Sequence, residues 1–60
     1  MTIVCVYVTN CSREEIHERL DYISRCIPCF ASYHANTQEV VVKCRREDAA
    51  FVETQLAEYV

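Results

Sequence analysis

Thr2-Ile3-Val4-Cys5-Val6-Tyr7-Val8 runs straight into Thr9-Asn10-Cys11-Ser12-Arg13-Glu14-Glu15, and the reading of this passage decides the fold. The first part is a continuous apolar, β-branched run, the signature of a strand covered on at least one face. Thr9-Asn10-Cys11 breaks it. Ser12 followed three residues later by Glu15 then predicts a capping box, in which each side chain takes the other residue's backbone N–H. Cys11 and Ile16 stand where a hydrophobic staple would close the same turn. A strand followed by a capped helix is therefore written into the first residues of the chain.

Downstream, Ile16, Leu20, Ile23 and Ile27 recur at helical spacing, with Glu14, Glu15, Glu18, Arg19 and Asp21 on the other faces. Glu15–Arg19 and Asp21–Arg25 form i,i+4 pairs in the favourable order. Pro28 disfavours helical geometry at Ile27, so the helix is expected to stop near Arg25 or Cys26. Cys29 to Ala35 and Glu39 to Arg45 read as two more strands around Asn36-Thr37-Gln38. Asn tolerates left-handed geometry, which lets the hairpin turn without glycine. Val40, Val42 and Cys44 carry no charge and belong inside; Glu39, Val41, Lys43 and Arg45 face the other way. A two- or four-residue loop sends Cys29, Ala31, Tyr33 and Ala35 inward, whereas a three-residue loop would bury Ser32 and His34. The first parity is preferred. Ala49, Val52, Leu56 and Tyr59 predict a second amphipathic helix, with Glu47 and Asp48 in or before its first turn.

The resulting order is β-α-β-β-α, an α+β chain. A right-handed crossover sets the first and third strands side by side with both helices on one face of a three-stranded antiparallel sheet. This resembles a ferredoxin-like sandwich lacking its fourth strand, the one that would pair with the outer side of the first. The most hydrophobic strand is then an edge, and exposed apolar edges are association sites unless covered. Heavy-metal-carrying domains of ferredoxin-like type have a similar topology, but they place two cysteines in the loop that opens the first helix. This chain has only Cys11 there.

Composition bounds what such a chain does. Sixty residues make one domain, 1–60, near the lower limit for folding alone. With six Lys and Arg against nine Asp and Glu, the net charge is -3, which disfavours nucleic acid as a partner. No apolar stretch approaches a membrane span, and the N-terminal run lacks the basic start of a signal peptide. A cytoplasmic setting with reduced thiols is expected, and five cysteines cannot all pair within one chain. The absence of glycine removes phosphate-cradling loops. Glu14, Glu15 and Glu18 read as a solvated helix face, His17 as a surface residue beside Asp21, and no catalytic grouping emerges.

The chain is expected to be a non-catalytic protein-interaction module, a regulator, inhibitor or adaptor without a cofactor. It would self-associate as a homodimer or dock on a protein partner through the first-strand edge and the open sheet face. The residues assigned to that role are Ile3, Cys5, Val6, Tyr7, Phe30, His34 and Val41. The alternative is a thiolate metal-binding domain for zinc or copper, because Cys26-Ile27-Pro28-Cys29 is a usual zinc half-site. His34, Cys44 and Cys5 are the further ligands open to it. A dithiol redox role fits poorly: thiolates are stabilised at helix N-termini, and this pair follows a helix C-terminus. A small-molecule regulatory module with its ligand at a dimer interface is a third, weaker reading.

Overall fold

A computed structural model describes residues 1–60, ordered as strand β1 (Thr2–Tyr7), helix α1 (Arg13–Cys26), strands β2 (Cys29–His34) and β3 (Glu39–Cys44), and helix α2 (Ala49–Leu56). Single 3-10 turns, Arg46–Asp48 and Ala57–Tyr59, flank α2. The sheet order is β1-β3-β2, with β3 antiparallel to both neighbours. The α+β arrangement and the β-α-β-β-α order are those expected from the sequence.

Alternation along the strands explains why only one face is covered. Val4, Val8, Val40, Val42 and Cys44 are buried beneath Ile16, Leu20 and Ile23 of α1 and Val52, Leu56 and Tyr59 of the second helical segment. Eleven residues make this core, and none is polar or charged apart from the Tyr59 hydroxyl and the Cys44 thiol. α1 packs mainly on β2, and α2 on β1.

The ends of α1 follow from local chemistry. Ser12 Oγ accepts from the Glu15 N–H at 3.2 Å, and Glu15 Oε1 accepts from the Ser12 N–H at 3.0 Å. Cys11 packs against the core beside this box. At the other end Ile27 adopts extended backbone, as the following Pro28 requires, while its N–H still donates to Ile23 O. Ser12→Ala takes the side-chain acceptor from the Glu15 N–H and is expected to cost about 1 kcal/mol. Thermal denaturation should show this as a fall of about 5 °C in Tm for a domain of this length; an unchanged Tm would deny the box any energetic role.

Three details differ from the sequence-based expectations. The hairpin turns through the four residues 35–38, which confirms the preferred parity, but the left-handed residue is Gln38 at φ 58°, not Asn36. Gln38 O accepts from the Val8 N–H at 2.8 Å, which continues the β1–β3 ladder one step beyond the strands. Ala35 lies in this turn and is exposed rather than inward-facing. Arg19 does not pair with Glu15, whose carboxylate is engaged in the capping box. Its guanidinium donates to Gln55 O at 2.9 Å, pairs with Glu58 and lies over the Tyr59 ring at 5.2 Å. It ties α1 to the end of the second helical segment. Asp21–Arg25 does form, at 2.8 Å.

Candidate functional site: the open sheet face

The face turned away from the helices is built by the same alternation that builds the core. β1 contributes Ile3, Cys5 and Tyr7, β3 contributes Lys43, Val41 and Glu39, and β2 contributes Phe30, Ser32 and His34. Register groups them into three cross-strand rows: Ile3–Lys43–Phe30, Cys5–Val41–Ser32 and Tyr7–Glu39–His34. No helix lies over them. Ile3, Tyr7 and Phe30 are 64%, 62% and 73% exposed, respectively. Cys5, Ser32, His34 and Lys43 are exposed as well, while Val41 and Glu39 are half-buried by their neighbours.

Six of the seven residues assigned to interaction from the sequence thus meet on one surface. Val6 does not. It points to the helix side of β1 and packs, half-buried, against the core. Alternation requires this, since Val6 shares the parity of Val4 and Val8. Glu39 and Lys43, outward-facing by the strand alternation but outside the seven residues assigned to interaction, stand at the two ends of the face's central strand. The signal that finds them is that same period of two.

The polar contacts of the face are sparse. Cys5 Sγ donates to Glu39 Oε2 at 3.0 Å. That bond, with some desolvation and the adjacent carboxylate charge, pushes the Cys5 thiol above its ordinary pKa. Ser32 Oγ and His34 Nε2 lie 3.4 Å apart. Neither Glu39 nor Lys43 has an ion-pair partner within the chain: the four salt bridges are made by Arg19, Arg25 and Arg45. An open recess of about 510 Å³ borders the hairpin end of the face, lined by Tyr33, His34, Ala35, Asn36, Thr37 and Glu39.

Elsewhere the chemistry-bearing side chains are dispersed. Cys26 is exposed at the end of α1, and Cys29 is half-buried at the start of β2, where its Sγ is 3.8 Å from Ser24 Oγ. Cys26 raises the pKa of the Tyr22 hydroxyl one turn earlier on the helix. No group of three or more His, Cys, Asp or Glu side chains is arranged to hold a metal ion. Cys44 lies opposite Cys29 across the hairpin, fully buried, while Cys5 and His34 open onto the other face of the sheet. The ligand set imagined for zinc or copper is therefore divided by the sheet itself. His17 does not pair with Asp21; it meets Tyr33 edge-on with ring centroids 6.1 Å apart. In the basic run, Lys43 belongs to the open face and Arg45 is held by Asp48 at 2.7 Å and Glu47 at 3.4 Å. No helix is long and apolar enough to cross a membrane.

Comparison with protein-family models, curated proteins and solved structures finds no match to this chain.

Proposed function

We propose that the chain is a small protein-interaction module, without catalytic activity of its own, that works through the open sheet face and the adjoining edge of β1. The observation that carries this reading is the exposure of Ile3, Tyr7 and Phe30 together on one face of a 60-residue protein. Scattered apolar residues are normal on any surface, but a contiguous patch with aromatic members is the usual composition of an interface centre. Supporting it, β1 pairs with β3 on one side only, so unpaired backbone groups border the patch. A partner could combine side-chain burial on the face with strand addition at the edge.

Tyr7→Lys is the test. The side chain is exposed, so the substitution leaves the core and the fold in place. Native mass spectrometry from reducing buffer is expected to find the wild-type chain in a complex, and the variant to lose it by about tenfold or more in affinity. A wild-type chain that stays monomeric at high concentration, with bound proteins the same in the variant, overturns the proposal.

A further inference from the structure

The open face carries a charge pattern that selects its occupant. Along β3 the outward residues are Glu39, Val41 and Lys43: one anion, one apolar residue and one cation, in that order. The two charges are four residues apart, about 13 Å at the rise of a strand, too far to pair with each other. Both lack an ion-pair partner within the chain. Ile3 and Phe30 lie level with Lys43, and Tyr7 and His34 lie level with Glu39.

We infer that the occupant of this face is a second copy of the chain, packed face to face about a two-fold axis that sets Glu39 of each copy against Lys43 of the other. The inference rests on the interaction reading above and names its partner. Two sheets related by a two-fold in the plane between them have two simple arrangements. With the axis along the strands, every residue of β3 meets its own counterpart, so Glu39 opposes Glu39 and Lys43 opposes Lys43. With the axis across the strands, β3 runs antiparallel to its copy. Val41 then meets Val41 at the centre, and Glu39 meets Lys43 twice. The same operation lays Ile3 against Tyr7 and Phe30 against His34, and brings the two Cys5 side chains to the axis. Only the second arrangement satisfies both charges. It is also self-complementary in the manner an isologous dimer requires, and aligned sheet packing tolerates the twist between the layers. The face is about 20 Å by 14 Å from strand rise and spacing, below the size of standard stable interfaces, so weak, micromolar association is expected rather than nanomolar.

Sedimentation velocity on the full chain under reducing conditions tests this with charge exchange. Glu39→Lys and Lys43→Glu are each expected to weaken self-association about tenfold or more, because the two-fold counts each change twice. The double variant Glu39→Lys/Lys43→Glu should return to wild-type affinity. An equimolar mixture of the two single variants should form a heterodimer. Circular dichroism on each variant confirms that the substitutions leave the fold intact. Single exchanges without effect, or a double exchange that fails to restore, overturn the inference; so does tighter association of Glu39→Gln, which marks the like-charge arrangement. If the wild type is monomeric while Tyr7→Lys still releases a bound protein, the second copy is excluded and the interaction module stands. If Tyr7→Lys changes nothing either, both fall.

Discussion

Ile23→Ala is expected to leave the chain largely unfolded at room temperature. Ile23 is fully buried in the last turn of α1, within a core of eleven residues confined to one side of the sheet. Truncating a buried Ile to Ala costs about 2–5 kcal/mol, through lost transfer energy and the cavity left behind. A single core in a chain this short rarely supplies more than about 3–5 kcal/mol of net stability. The cost and the reserve are of the same size, so the folded state loses most of its margin. Far-ultraviolet circular dichroism should show the helical signal falling and the thermal transition broadening or disappearing. Tyr22→Ala, one residue earlier on the same helix but half exposed, is the control. It removes a larger side chain yet should cost about 1 kcal/mol or less, since half of that side chain already lies in solvent. An Ile23→Ala chain that melts within a few degrees of the wild type would contradict the assigned core.

What the amino-acid pattern reveals about this chain is what local spacing determines. Ser12 and Glu15 specify the start of α1, and Pro28 specifies its end, because capping and pre-proline geometry act within a turn. The inward set of β3 is legible because Val40, Val42 and Cys44 alternate with Glu39 and Lys43. The parity of β2 follows once Ser32 and His34 are kept out of the core. Two features resist such reading. The left-handed position of the four-residue hairpin loop falls on Gln38, directly before β3, and not on Asn36, the residue whose preference points to it. Arg19 has an i−4 partner in Glu15 that local spacing favours, yet it reaches Gln55 and Glu58 because the fold delivers them. Of the open face, alternation made both the apolar members and the outward direction of Glu39 and Lys43 legible, but not the part the two charges play in it. Glu39 and Lys43 look like ordinary solvated residues until register places them at opposite ends of one apolar surface.

Cys44 is expected to resist thiol reagents about a thousandfold longer than Cys26 at neutral pH. Cys26 is exposed at the end of α1, whereas Cys44 has no accessible surface and faces the helices from β3. A reagent reaches Cys44 only through opening of the core, and when opening is fast relative to alkylation the slowing reports the free energy of opening. At about 4 kcal/mol, a factor of ten for each 1.4 kcal/mol gives roughly a thousandfold. Burial, the Asp48 carboxylate and Cys29 opposite push the Cys44 thiol above its ordinary pKa. Cys5 is raised by Glu39, and Cys11 by burial and Glu15. In each case the folded chain holds its proton more tightly than the unfolded chain. The associated stability is therefore complete below the unfolded thiol value, about pH 8.5, and is lost as pH rises through the higher folded values. Tyr59, raised chiefly by burial, extends the loss further into alkali. Mass spectrometry after timed alkylation should find one thiol protected at neutral pH, and that protection should fall as pH climbs past the thiol range. Cys44→Val, which keeps an apolar side chain of similar size, should flatten part of the alkaline decline in Tm. Equal labelling of Cys44 and Cys26 at neutral pH, or a Tm that stays level into strong alkali, would show that the β3 thiol is not sealed beneath the helices.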